Sequence, residues 1–277
     1  MNGRATLSIA AIVWASACVV LGGPPSPDGL GYSVPSPPTA TYHVADTIVV
    51  ESRPFQQVRE YTTTTAITLG MTFERATGGV RVVGIPETFE GAVRGGIVTR
   101  GPPPGLDDVT GTLEFVLSPL GEVDVVSLPE LSGPASGLGQ LASLAHELFP
   151  RLPDRVVEPG ATWVDTVTWS SVGPSSEATV TSVHAYTLVG DTLVDGRSLL
   201  SIALTGEMTI ELEGQVGPSA LTSSSSGPVT GLVLWDAGRG LPVIWQYRQE
   251  LEGTSIREGM PPDSTRRTMV RRIRLEG

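Results

Sequence analysis

Met208-Thr209-Ile210-Glu211-Leu212-Glu213 decides the fold class. Three apolar side chains alternate with three polar ones over six residues. A strand sends successive side chains to opposite faces, so this pattern gives a sheet dry on one side and wet on the other. Read outward, the strand runs from Ser198 to Glu213, and similar runs lie on both sides of it. Upstream, Thr62 to Phe73 is rich in β-branched residues, with Ile67, Leu69, Met71 and Phe73 on alternate positions. Val80 to Val83 follows the Gly78-Gly79 turn. Thr112 to Leu117 and Glu122 to Leu128 flank Ser118-Pro119-Leu120-Gly121, which reads as a hairpin connection. Further along, Thr179 to Leu188, Val229 to Trp235, Leu241 to Leu251 and Arg267 to Leu275 read as strands.

One segment has a different period. Leu138, Leu141, Leu144, Ala145 and Leu148 fall at helical spacing, predicting an amphipathic helix over 136–149 that Pro150 and Pro153 stop. Its apolar stripe is expected to cover the concave face or open end of a sheet. Thr110-Gly111-Thr112-Leu113-Glu114-Phe115 is echoed by Thr230-Gly231-Leu232-Val233-Leu234-Trp235, which points to two related halves, 42–135 and 160–277, around that helix; a chance match is the alternative.

Composition narrows the function classes. Hydrophobic residues make up 40% and charged residues 17%, enough to bury a core and too apolar for a disordered chain. The formal net charge is −11, and such a field repels nucleic acid, whose binding runs on basic side chains. All basic residues other than histidine are arginine. The absence of lysine removes P-loop phosphate binding and Schiff-base chemistry.

The N-terminus has the plan of an export signal. Arg4 precedes an apolar run from Ala5, which ends in Ala15-Ser16-Ala17-Cys18. Residues 1–17 are expected to be a signal peptide cleaved after Ala17, leaving Cys18, the chain's single cysteine, at the new terminus. Plain secretion and an uncleaved helix are the alternatives. The helix is the weaker, because Gly22, Gly23, Pro24 and Pro25 interrupt the run before the roughly 20 residues a bilayer needs. A lone cysteine has no internal disulfide partner, and lipidation would remove an exposed thiol. Residues 18–41, rich in proline and glycine, read as an extended tether. Val19 to Thr41 reaches up to roughly 70 Å at about 3.1 Å per residue. A single β-rich domain is expected over 42–277.

Two stretches carry a resemblance. Ala15-Ser16-Ala17-Cys18 resembles the lipobox of bacterial lipoproteins, although Ala15 stands where leucine is commonest; the resemblance implies a diacylglyceryl group on Cys18. Leu152-Pro153-Asp154-Arg155-Val156-Val157-Glu158-Pro159-Gly160-Ala161-Thr162-Trp163 resembles a phrase of uncharacterised bacterial envelope lipoproteins, where it leads from a helix into a new strand. More loosely, the pattern is similar to half-barrel lipoproteins of the lipoprotein-carrier type, which implies a large curved antiparallel sheet around an apolar cavity. No functional residue is carried over.

The search for chemistry is mostly negative. His43, His146 and His184 are the three histidines. His146-Glu147 opens like a zinc-protease helix, but Pro150 takes the place of the second histidine, so no metal or other cofactor is expected and His146 is read as helix surface. His184, beside Tyr186 in an alternating strand, is read as structural. Gly133 to Gly137 is not a nucleophile elbow, and Gly137 to Ala142 lacks the βαβ context of a dinucleotide site. A serine triad has no support in the sequence, and an enzyme is not expected. Asp107-Asp108 and Asp191 to Asp195 read as solvated turns rather than a calcium loop. Arg266, Arg267, Arg271, Arg272 and Arg274 read as an edge or terminal strand defended by charge, with lipid headgroups as the alternative contact.

The expected function is therefore a non-catalytic binding module, tethered to an envelope membrane by lipid on Cys18. It would hold a lipid or other apolar ligand in a groove lined by Phe115, Leu141, Leu144, Leu148, Trp163 and Trp235. The runner-up is an assembly lipoprotein that binds another envelope protein through a sheet edge.

Overall fold

The computed structural model describes residues 30–53, 57–95, 103–138, 141–172 and 176–276. The expected signal peptide, its cleavage at Ala17, the lipidation residue Cys18 and the first part of the tether lie outside them.

Among the described residues thirteen strands follow one another: β1 (Thr39–Ser52), β2 (Arg59–Ala76), β3 (Gly79–Gly95), β4 (Val109–Thr110), β5 (Leu113–Leu117), β6 (Val123–Ser127), β7 (Glu130–Leu131), β8 (Thr162–Val172), β9 (Ser176–Val194), β10 (Arg197–Val216), β11 (Ser219–Asp236), β12 (Leu241–Arg257) and β13 (Asp263–Leu275). Eleven of them form one antiparallel sheet in the order β6-β5-β3-β2-β1-β13-β12-β11-β10-β9-β8. The two-residue strands β4 and β7 pair separately. The sheet curls into the expected half-barrel, with β6 and β8 at its ends.

The alternation read from Met208 to Glu213 sorts as expected. Met208 is buried, Ile210 and Leu212 face the same side, and Thr209, Glu211 and Glu213 are turned away. Prolines sit where the ladder is irregular, as their missing N–H requires. The register shifts between Thr68 and Leu69 opposite Pro86, and between Leu234 and Trp235 opposite Pro242. Glycine lets neighbouring strands press together where the sheet curls. A Cβ at Gly206 would lie 2.2 Å from the Val183 carbonyl oxygen, and one at Gly227 would lie 2.0 Å from that of Glu250.

Two expectations about the strands are corrected. The arginine-rich β13 is the last strand in sequence, as one alternative had it, but it is not an edge of the sheet. It lies mid-sheet between β1 and β12, so the first and last strands of the domain zip together from Tyr42–Leu275 to Ser52–Thr265. The tether also ends earlier than 41. Thr39 to Thr41 belong to β1, and Tyr32 is buried, donating its hydroxyl to the Pro150 carbonyl at 2.8 Å. One aromatic side chain supplies enough buried area to dock a stretch that its proline and glycine content marks as extended.

The predicted helix over 136–149 is also corrected. The segment contains 3-10 turns at Gly133–Gly137 and Leu141–Ser143, then one α-helical turn, α1 (Leu144–Glu147). Gly137 and Gly139 disfavour a continuous helix, and Pro150 closes it early. Burial decides the path instead. Leu138, Leu144, Ala145, Leu148 and Phe149 are all inserted into the core. Phe149 sits at the centre, its ring 5.5 Å from Tyr32, 5.9 Å from Tyr42 and 5.9 Å from Phe115 between centroids. Leu138 and residues 141–152 thus form a plug lying in the concave face.

Candidate functional site

The plug is fastened by a buried charge cluster built on Arg271. This side chain is 1% exposed. Its Nε and Nη2 donate to the two carboxylate oxygens of Asp46 on β1, each at 2.7 Å, a bidentate arrangement. Its Nη1 donates to Ser143 Oγ at 3.0 Å and to the Glu147 carboxylate, both on the plug. The guanidinium also lies 5.9 Å from the centre of the Tyr247 ring. Burial by itself pushes the Arg271 pKa down. Asp46, Tyr247 and Glu147 together outweigh it and hold the pKa well above the ordinary value, so the cation is permanent. An apparently solvated basic strand therefore supplies the residue that pins the plug to the sheet.

On the other side, residues 150–152 bridge towards the sheet's two ends. Leu152 N donates to the Leu120 carbonyl, in the turn between β5 and β6, at 2.9 Å. Arg151 Nε lies 3.1 Å from Asp165 of β8, and the Trp163 indole donates to the Arg151 carbonyl at 3.1 Å. The plug so closes the mouth of the half-barrel near its β5–β6 turn.

Between plug and sheet lies a small cavity of about 20 Å³. Strands β8 to β12 supply Trp169, Tyr186, Leu204, Met208, Val229 and Trp245, and the plug supplies His146, Glu147 and Phe149. The walls are mostly apolar and aromatic, and the space is narrow. It has room for about one water molecule.

Both histidines of the plug and β9 line this cavity, which corrects the reading of His146 as helix surface. Its imidazole is half-buried and stacks on Trp169, with centroids 5.5 Å apart and planes within 8°. Burial pushes the pKa of His146 down, against the pull of Glu147, and burial likewise lowers that of His184. His184 Nδ1 lies 3.4 Å from Tyr186 Oη, and its buried Nε2 has no hydrogen-bond partner.

A serine, a histidine and an aspartate do meet here. Ser182 precedes His184 by two on β9, and Asp165 is the cross-strand partner of His184. They are not wired as a triad. Asp165 is held by Arg151, and His184 turns Nδ1 towards Tyr186, so no carboxylate orients the imidazole as a base.

None of the six residues expected to line a groove lines this cavity. Phe115, Leu144, Leu148 and Trp235 are each at most 1% exposed and belong to the packed core. Leu141 and Trp163 are partly buried against that core, and Trp163 stacks on Tyr186 with ring centroids 5.4 Å apart. The residues that do line it, such as Met208, Val229 and Trp245, lie in the expected strands. Their alternation marked them as inward-facing, but the path of the plug determined which inward residues remained uncovered. Among the described residues no three metal-ligating side chains cluster, and no helix is long and apolar enough to cross a membrane.

No protein-family model matches the chain, and no curated protein matches it. Similar solved structures are porins. A mutant Rh. blastica porin is 10% identical, with 84% of this chain and 99% of that one covered and a TM-score of 0.23. Pseudomonas aeruginosa OccK3 is 9% identical over 86% and 96%, with a TM-score of 0.19. Acinetobacter baumannii OccAB2 is 7% identical over 89% and 100%, with a TM-score of 0.20. The two faces of this sheet have the opposite polarity to a lipid-embedded barrel, which carries an apolar band on its outer wall. Here Glu207, Glu211 and Glu213 on β10, Arg248 and Glu252 on β12, and Arg272 and Arg274 on β13 are exposed, while the concave face is apolar.

Proposed function

We propose that this chain is a non-catalytic binding module of a bacterial cell envelope, exported and tethered to a membrane by lipid on Cys18. Its ligand would enter the cavity between the plug and strands β8 to β12. The observation that carries this reading is the polarity of the sheet: apolar and aromatic side chains line its concave side around a small cavity beneath the plug, its outer face is charged, and the plug is held by specific buried contacts. The unwired arrangement of Ser182, His184 and Asp165 favours binding over hydrolysis. The lipid anchor is supported by the Ala15 to Cys18 motif, and the β domain supports an envelope address no further than that motif does.

Native mass spectrometry of the membrane-extracted protein tests both parts. The expected result is a chain that begins at Cys18 and carries a diacylglyceryl group, with a small non-covalent ligand retained. A chain without the added mass refutes the anchor. A ligand-free chain that also takes up no apolar probe refutes the binding module.

The free edge of β8 favours a second reading, an assembly role. Among the described residues β8 pairs only with β9, and its outward positions Val164, Thr166, Thr168, Ser170 and Val172 are exposed and uncharged. Such an edge accepts an added strand. In that case the extracted complex contains a second polypeptide, which Thr168→Lys releases without altering the cavity.

A further inference from the structure

A second hollow lies apart from the plug, at the end of the sheet where β1 begins. It holds about 750 Å³, within the range of small-molecule sites. Strands β1 and β2 contribute Thr41 and Gly70 to it, β3 contributes Ile85 and Glu87, and the turn that leads from β11 into β12 contributes Arg239.

Arg239 is the one arginine among the described residues that line this hollow. Its Nε is buried and has no hydrogen-bond partner, and its guanidinium forms no ion pair among the described residues. Asp236, the nearest acid in sequence, accepts instead from the backbone N–H groups of Gly238 and Arg239, at 2.9 and 3.1 Å. A donor that burial removes from water and no protein group answers favours an acceptor from outside.

Glu87 supplies the opposite charge. A Cβ at Gly70 would collide with its carboxylate, so the side chain lies back over β2 in the space that a glycine leaves. It is exposed, and among the described residues it makes no hydrogen bond or ion pair. Glu276, the other acid on the wall, lies 3.4 Å from His43 Nε2. The remaining polar side chains carry hydroxyls and no charge, as at Thr39, Thr41 and Thr72.

A simple anion would meet Arg239 but also two carboxylates. A simple amine would leave Arg239 unanswered. A molecule with one charge of each sign answers both groups. β1 and β13 stand between β2 and β12, so Gly70 and the turn carrying Arg239 are separated by three strand spacings, about 14 Å along the sheet. The arginine side chain shortens that gap to roughly the length of two or three extended residues.

We infer that this hollow binds a short peptide with free ends, its C-terminal carboxylate on Arg239 and its N-terminal ammonium on Glu87. The site is separate from the cavity beneath the plug, and neither reading depends on the other.

Isothermal titration calorimetry of the full-length protein in detergent at low salt tests it, with trialanine, N-acetyl-trialanine and trialanine amide as probes. Trialanine should bind, and blocking either end should weaken it at least about fivefold, the loss of one charge-assisted hydrogen bond. Arg239→Gln should weaken trialanine by a similar factor and abolish the difference between trialanine and its amide. Glu87→Gln should abolish the difference between trialanine and its N-acetyl form. Both variants should unfold at the wild-type urea midpoint. Failure of the wild-type protein to bind trialanine would overturn the inference. So would equal binding of trialanine and its amide, or undiminished trialanine binding by a folded Arg239→Gln protein. Each of these results leaves the binding of an apolar probe beneath the plug as a separate question.

Discussion

Replacing Arg271 by methionine should be among the most damaging single changes in this protein. Methionine approximates the length of the side chain but leaves Asp46 and Glu147, each 13% exposed in its side chain, as two carboxylates without their cation. Breaking a buried ion pair by removing one partner costs about 3–5 kcal/mol, because the remaining charge stays desolvated. Two orphaned carboxylates place the change at the upper end of that range. For a domain of this size the loss corresponds to a fall in Tm of roughly 6–20 °C. The mechanism makes one further demand. Replacing all three residues by apolar ones of similar volume should restore most of the stability, since a buried ion cluster exchanged for good packing is often neutral or stabilising. Urea unfolding followed by tryptophan fluorescence measures each case. A single variant within about 0.5 kcal/mol of wild type at pH 7.5, the scatter of ordinary surface changes, would refute the account of how the plug is held.

Other substitutions test the core, the curl and the cavity. Phe149→Ala removes the ring on which Tyr32, Tyr42, Phe73 and Phe115 converge, and should cost about 3–5 kcal/mol in urea unfolding. Gly206→Ala places a Cβ 2.2 Å from the Val183 carbonyl oxygen, so the strands must part; a loss of about 1–3 kcal/mol is expected, read as a lowered midpoint. Burial lowers the folded-state pKa of His146 and His184 below the unfolded value, so the unfolded chain binds more protons as the pH falls below about 6.5. Stability should therefore drop from pH 7 towards pH 5, by at most about 1.4 kcal/mol per pH unit for each histidine, and His184→Phe should flatten part of that slope in urea titrations at several pH values.

Much of the fold was legible in the chain. Alternation over Ile67 to Phe73 and Met208 to Glu213 sorts residues by face with a period that only strands possess, and glycine pairs such as Gly78-Gly79 mark where strands reverse. Strand ends were less legible. β11 begins at Ser219, ten residues before Val229, because the serine run 223–226 and Pro228 carry no β signal and take their conformation from ladders with β10 and β12. The helix over 136–149 failed for a related reason. Leucines at helical spacing also suit a plug that follows the sheet's interior, and Gly137 and Gly139 remove the propensity that would have held a regular helix.

By itself, the sequence determined the β class, the polar outer face, the apolar inner face and the absence of lysine chemistry, because these depend on local periodicity and on residue type alone. Tertiary structure decided what depends on long-range pairing. Arg271 reads as surface charge until β13 is placed between β1 and β12, 225 residues from its partner Asp46 in sequence. The groove residues read from hydrophobicity lie in the core instead, and His146, His184 and Trp245 line the cavity, because the path of the plug, which no periodicity encodes, chooses which inward side chains are covered.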